Sequence, residues 1–241
     1  MLNGIIGTLG GKSANERRLE IVANNIANAL TPGFKASRPV VIHNTYGDSN
    51  QQDQVQATSV NVPDSYVHFS DAPLVETGSV FDLALEGTGF FVIQTPQGNM
   101  YTRNGQFSLN QDKKLVTMSG NFVVGESGGE ITIDGRDVRI ETDGTIFVDK
   151  VRVDRIKVAD FKSLKELRNF GMNLFVNTDS NNVEVPAEAY TVKQGFYEAS
   201  NVDIMKEMVE MINALRAYES YSKVDQSFNE LMGKLIDLGR I

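Results

Sequence analysis

Four features of the chain have residue types and spacing that could do chemistry. Asn177-Thr178-Asp179-Ser180-Asn181-Asn182, with Glu188 further on, sets an acid where the bidentate twelfth ligand of a calcium loop would sit. Against calcium, position one is Asn, the usual glycine is Asn182, Pro186 lies inside, and Leu174 to Val176 and Ala189 to Val192 flank it with strand-like sequence. A polar hairpin loop is the better expectation. Gly87-Thr88-Gly89 invites a phosphate-binding turn, but the third glycine position holds Val92 and Phe90 to Ile93 continues as strand, so a bend or bulge between two strands fits better. His43 and His68, the only histidines, stand 25 residues apart with no adjacent carboxylate or cysteine arrangement, which gives little support to a metal site or a Ser-His-Asp triad. Any two of the 31 acidic residues could meet in a cleft for acid-base work, yet no pair is singled out. The expectation is a protein with no catalytic residues, no metal and no cofactor.

Composition narrows the partners. A formal net charge of −8 and a pI near 4.9, without clustered Lys and Arg, argue against nucleic acid. The absence of cysteine removes disulfides and thiolate metal sites. Met1 to Leu9 is apolar, but no basic residue precedes it and Gly10-Gly11-Lys12 follows, the reverse of a secretory signal. Apolar stretches all fall short of the roughly 20 residues that span a bilayer, so no direct membrane insertion is expected.

The elements that must position any site fall into three regions. From Leu2 to Leu30, positions 2, 5, 9, 12, 16, 19, 23, 26 and 30 follow 3-4 spacing with polar breaks at Lys12 and Glu16, which predicts an amphipathic helix. Gly10-Gly11 and the capping box Ser13-Ala14-Asn15-Glu16 predict a kink or a restart there. Thr31-Pro32-Gly33 predicts a sharp turn after it. From Ile204 the spacing returns through Met208, Met211, Leu215 and Tyr218, then resumes shifted at Tyr221, Val224, Phe228, Leu231, Leu235 and Leu238. Ser200-Asn201-Val202-Asp203 signals the start of this second helix and Gly239 its C-terminal cap. At 1.5 Å per residue it would be on the order of 50 Å long, more than one compact domain. Periodicity alone leaves open whether it lies on the β region as a core helix or pairs with the first helix.

Between the helices the signals are β. Val80 to Leu85, Phe90 to Ile93, Phe122 to Val124, Val138 with Ile140, and Ile146 with Val148 read as strands. Turn markers at Pro96-Gln97-Gly98, Asn104-Gly105, Asp134-Gly135 and Asp143-Gly144 favour antiparallel hairpins. A short helical turn is expected between Phe161 and Arg168. The fold class is therefore α+β: a mainly antiparallel β domain with long N- and C-terminal α-helices that pair as a coiled-coil-like arm. Expected boundaries are 1–32 and 200–241 for the helical domain, 33–76 for an extended connector and 77–199 for the β domain.

Ala23-Asn24-Asn25-Ile26-Ala27-Asn28-Ala29-Leu30-Thr31-Pro32-Gly33-Phe34-Lys35 closely resembles the N-terminal signature of bacterial flagellar rod and hook proteins. The likeness continues in Leu83 to Phe91, in Tyr101-Thr102-Arg103-Asn104-Gly105-Gln106-Phe107, in Leu115-Val116-Thr117 with Gly120, in Glu198 to Asp203, in Met208 to Ile212 and in Arg216-Ala217-Tyr218-Glu219. The short connector before Thr77-Gly78 and the ending Leu238-Gly239-Arg240-Ile241 look more like the proximal than the distal rod type. Ala29-Leu30, where the family more often has a Val-Asn type pair, and Gly10-Gly11 depart from the pattern.

The resemblance implies a structural subunit of the flagellar basal-body rod, in the periplasm, that transmits torque and catalyses nothing. It further implies export by the flagellar secretion system, with other axial proteins, copies of the chain and the export apparatus as partners. The alternatives are a distal rod or hook-type axial protein and, from another class, a secreted β-rich carbohydrate-binding protein or hydrolase, which the absence of Trp weakens. Expected assembly residues are Ile5, Leu9, Leu19 and Ile26 on the first helix, Asn24, Asn25, Asn28, Pro32, Gly33 and Phe34 in the signature, and Met208, Met211, Ile212, Leu215, Tyr218, Tyr221, Phe228, Leu231 and Leu235 on the last. Largely on the resemblance, the three asparagines are expected to bond backbone at the helix end and at neighbouring subunits, in preference to the alternative of helix-end capping on a solvated face.

Overall fold

The computed structural model describes residues 2–46 and 57–238, with side chains over 10–40 and 64–234. The polar run Asp48 to Asp53, the His43 side chain and Gly239 lie outside the described residues. The architecture is α+β: helices α1 (Leu2–Ala27) and α2 (Ile204–Leu238) bracket short strands that pair antiparallel. The chain divides into two compact units, one of Met1–Ala27, Ser37–Tyr66 and Asp203–Ile241, the other of Asn28–Ala36 and Val67–Val202.

In the first unit, α1 runs through Gly10-Gly11 without the restart that Ser13 predicted. The Asn15 amide instead donates 2.7 Å to the Gly11 carbonyl one turn back. The helix stops where Thr31 N–H turns back to the Asn28 carbonyl at 3.1 Å and Gly33 takes φ +68°, the turn that Thr31-Pro32-Gly33 predicts. α2 begins one residue after Asp203, whose Oδ1 accepts the N–H groups of Met205 (3.1 Å) and Lys206 (3.2 Å). Those helix-end N–H groups hold the Asp203 carboxyl below the usual carboxylate range. Strands Ser37–Tyr46 and Ala57–Val67 form a two-stranded sheet.

In the second unit the central strand Phe90–Thr95 explains its own uninterrupted apolar run. Phe91 and Ile93 enter a core with Leu83, Leu115, Ile131, Ile146 and Ile156, while Phe90 and Val92 enter another with Phe161, Leu167 and Phe175. A strand buried on both faces loses the usual alternation. Edge-to-face rings tie the second core, Phe69 to Phe90 at 5.2 Å and Tyr101 to Phe161 at 4.6 Å. The hairpin at Pro96-Gln97-Gly98 pairs Thr95 with Gly98, and that at Asp143-Gly144 pairs Ile140 with Ile146. The helical turn after Phe161 is a short 3-10 segment, Leu164–Glu166.

The loops singled out for chemistry are occupied by their own hydrogen bonds. Gly87 and Gly89 turn the chain between two strands with φ of +96° and +105°, and a Cβ on Gly87 would stand 2.3 Å from the Ala189 carbonyl oxygen. In the Asn177 loop, Asn177 Nδ2 donates to the Asn182 carbonyl (2.6 Å) and Asn182 Nδ2 to the Ser163 carbonyl (2.8 Å). That is a polar loop with its amides spent on closing the turn, but not the expected hairpin: Leu174–Asn177 pairs with Leu167–Gly171 and Gly98–Thr102, whereas Glu184–Pro186 pairs with Val158–Phe161.

Candidate assembly surface

Because Asn25 meets Glu207 and Gly11 meets Tyr221, α1 and α2 run antiparallel. On α1 the buried line is Gly11, Ala14, Asn15, Ile21, Val22 and Asn25. This corrects the expected line through Lys12, Glu16, Leu19, Ala23 and Ile26, of which Glu16 and Ala23 are exposed and the others half-buried. The physical reason is size. A seam made from Gly11 and Ala14 lets the helix backbones approach closely, and counting large apolar residues overlooks it. Gly11 leaves room for the Tyr221 ring there, since a Cβ would stand 2.5 Å from two of its ring carbons. The Lys12 ammonium lies over the Tyr218 ring, 5.4 Å from its centroid.

On α2 the inward line is Glu207, Met211, Ala214, Tyr218, Tyr221, Asp225 and Phe228, all buried or half-buried. It keeps one 4-3 rhythm, so the shift expected between Tyr218 and Tyr221 does not occur. Met211, Tyr218, Tyr221 and Phe228 fall on this line. Met208, Ile212, Leu215, Val224 and Leu231 fall off it and are exposed, together with Met205, Val209 and Met232. Met205, Met208, Ile212 and Leu215 follow at three or four residues and make a continuous apolar stripe. An open groove of about 680 Å³ beside it is lined by Ile21, Val22, Met205, Val209 and Ala214 among others. The side chains of Ile5, Leu9 and Leu235 lie outside the described residues.

One polar node pins the helix pair. Asn25 and Glu207 are both 0% exposed. The Asn25 amide donates to the Ser37 carbonyl (3.0 Å) and to Glu207 Oε2 (3.1 Å), and its Oδ1 accepts the Ser37 N–H (2.9 Å). Glu207 Oε1 takes the Arg38 guanidinium at 2.6 Å. Every functional atom of Asn25 is thus satisfied inside its own unit. Asn24 is exposed and Asn28 half-buried, its carboxamide oxygen accepting the Thr31 hydroxyl at 3.3 Å. Leu19 and Ile26 are half-buried.

The end of the signature belongs to the β unit. Phe34 is 2% exposed, Gly33 N–H donates to the Glu198 carbonyl at 2.7 Å, and a Cβ on Gly33 would lie 2.2 Å from the Asn104 nitrogen. Pro32 presents its carbonyl to Asn173 Nδ2 at 2.8 Å. Gly33 and Phe34 are therefore spent on folding this unit and offer no side chain to a neighbour. Beneath them, Lys35 Nζ meets Glu198 Oε1 at 2.6 Å and the Ser70 carbonyl at 2.6 Å, with Arg103 Nη1 3.6 Å from Glu198 Oε2. Burial pulls the Lys35 ammonium below its ordinary value against the attraction of Glu198, and lowers the Arg103 guanidinium likewise. Lys35, Arg103 and Glu198 each stood inside a quoted motif, but nothing in their spacing joins them, since they are far apart in sequence.

Family models match three stretches of the chain. Residues 9–35 match the flagella basal body rod protein, 84–148 the flagellar hook protein FlgE/F/G D1 domain, and 193–238 the flagellar basal body rod FlgEFG protein C-terminal. The chain is 35% identical to the flagellar basal-body rod protein FlgF of Caulobacter vibrioides over the whole of both chains. It is 31% identical to FlgG of Buchnera aphidicola, covering 93% of this chain and 95% of that one. FlgF of Mesorhizobium japonicum is 30% identical, over 91% and 90%.

An antiparallel helix pair that leaves an apolar stripe of α2 exposed, with a separately packed β unit, has the make-up of an assembly subunit. The chain belongs to the flagellar basal-body rod protein family and is FlgF-like within it. It is a structural axial component of the flagellar basal body, from a family that assembles with other axial proteins. Among the described residues, no helix is long and apolar enough to cross a membrane.

Proposed function

We propose that the chain is a subunit of the proximal rod, which joins copies of itself and other axial proteins through its helix pair and passes torque along the rod without catalysing a reaction. The observation that carries this reading is the bare apolar stripe of α2, Met205, Met208, Ile212 and Leu215, left over after α1 has taken the inward line. Exposed apolar rows of this length are a standing drive to associate. Contacts between non-equivalent faces that do not close into a ring build a helical filament. The 4-3 rhythm of the inward line supports coiled-coil-like pairing of α1 with α2. The terminal helices would stack into the inner core of the rod, as the resemblance implies. Of the expected interface residues, Met208, Ile212, Leu215, Leu231 and Asn24 keep that role here, being exposed. The subunit would reach the periplasmic rod through the flagellar secretion system.

The test is Met208→Asp or Ile212→Asp. Either buries a charge in the assembled seam and is expected to block incorporation into the rod. The β unit of the purified chain should keep its thermal midpoint. Normal rods built from either variant would overturn the reading. A distal rod position is the second reading, favoured by the near-full-length similarity to FlgG, and locating the chain in purified basal bodies separates the two.

A further inference from the structure

Asn followed by Gly is the dipeptide most prone to lose a side-chain amide, because glycine leaves the next backbone nitrogen unshielded. At Asn104-Gly105 the β unit nevertheless demands both residues. The segment joins Gly98–Thr102, which pairs with Phe90–Thr95, to Phe107–Leu109, which pairs with Leu115–Thr117, so it is a crossover and not the hairpin that the dipeptide predicts. Asn104 Oδ1 accepts the Gln106 N–H at 3.0 Å, and the Asn104 N–H donates to the Thr102 hydroxyl at 3.0 Å. Closing a turn on its own backbone in this way is a task for the short side chains of Asn and Asp. Gly105 is buried, its carbonyl accepts the Leu83 N–H at 2.9 Å, and a Cβ on it would overlap the Leu83 carbonyl oxygen. Only glycine fits there. From another side Gly33 presses so close that a Cβ on it would meet the Asn104 nitrogen and Cα.

We propose that Asn104 is a site of spontaneous deamidation that is open in the unfolded chain, is closed by folding of the β unit, and yields an isoaspartate product that the fold rejects. The Gly105 backbone nitrogen attacks Asn104 Cγ and forms a C–N bond. The Cγ–Nδ2 bond breaks, and ammonia leaves with the proton from the Gly105 nitrogen. Water then opens the cyclic succinimide at one carbonyl or the other, giving aspartate or, with the main chain rerouted through Cγ, isoaspartate at position 104. No oxidant, reductant or further reactant is consumed. In the folded chain the Gly105 nitrogen must swing over Asn104 Cγ, which breaks the bonds to Leu83 and Gln106, so the reaction waits for a local opening. Isoaspartate lengthens the main chain by one carbon just ahead of Gly105, where a single added carbon has no room. Aspartate keeps both the acceptor oxygen and the chain length. The turn thereby discards chains that stay unfolded too long.

The experiment holds the purified full-length chain in concentrated urea or in buffer alone, both warm and mildly alkaline. Asn3-Gly4, the other Asn-Gly of the sequence, gauges the chemistry, and the hold lasts until much of it has reacted in urea. Both samples are then diluted, and size exclusion separates refolded from unrefolded chain. Peptide mass mapping with isoaspartyl methyltransferase labelling reads each site. The expected result is that Asn104 converts alongside Asn3 in urea and at least several-fold more slowly in buffer, and that isoaspartate at position 104 is concentrated in the unrefolded fraction. Asn104→Asp should refold as the parent chain does, and after the urea hold it should lose less, because a carboxylate is a poor target for the Gly105 nitrogen. Equal conversion of Asn104 with and without urea, an intact Asn104 beside a converted Asn3, isoaspartate shared equally between the two fractions, or an Asn104→Asp chain that refolds no better than the isoaspartate form would each overturn the proposal.

Discussion

Gly11 lies under the ring of Tyr221, so close that a Cβ at position 11 would stand 2.5 Å from two ring carbons. Two effects oppose each other at this residue. Gly→Ala in a helix interior gains about 1 kcal/mol of propensity, whereas overpacking a tight contact costs about 1–3 kcal/mol. Gly11→Ala alone is expected to be neutral to destabilising, and Gly11→Ala in a Tyr221→Ala background stabilising by about 1 kcal/mol. Urea unfolding of the four chains of this double-mutant cycle checks the sign reversal.

Glu207 is the fixed point of the helix pair, because it answers both Asn25 and Arg38. Removing one partner of a buried ion pair costs about 3–5 kcal/mol. Arg38 is partly exposed and regains water, so Glu207→Ala should cost about 2 kcal/mol, near the range for a stranded buried amide. Amide hydrogen exchange in Ile21 to Asn25 should rise with it. Unchanged exchange there would mean that the node does not hold the helices.

In the β unit the outcome depends on which charge of the Lys35, Glu198 and Arg103 cluster is removed. Lys35→Met leaves Glu198 with Arg103 at 3.6 Å and with the Ala72 N–H at 3.1 Å, so its cost should sit near the low end, about 3 kcal/mol. Glu198→Ala leaves two buried cations without their shared anion and should cost more. Denaturant midpoints in the opposite order would show that the cluster is not held together through Glu198.

Asp143 accepts the Thr145 N–H at 2.9 Å and the Thr145 hydroxyl at 2.8 Å, which hold its carboxyl below the usual carboxylate range. A depressed folded-state value gives stability that is present above the unfolded value, about pH 3.9, and lost as pH falls through the lower folded one. Asp143→Asn should therefore lower the thermal midpoint at pH 7 while changing it less at low pH, which flattens the acid limb. An acid limb identical to wild type would count against this.

Most of the fold could be read from the sequence because it is local. Periods of 3.6 and 2 residues, Pro32 with Gly33, and the Asp143-Gly144 turn act over a few residues, so they set the two helices, the hairpins and the family motifs. Which helix face pairs inward was not local. It depends on how closely two backbones approach, and the seam at Gly11, Ala14, Asn25 and Glu207 is made of residues that look like breaks in an apolar pattern. The same holds for Phe34 and Lys35, whose burial is decided by Glu198 and Arg103, which are distant in the chain. The sequence by itself determined that both ends are amphipathic helices around an antiparallel β region. Only the tertiary structure decided which apolar residues those helices use on each other and which, like Met208 and Ile212, they leave uncovered, because close contact selects for small size and complementary charge, and single-chain periodicity records neither.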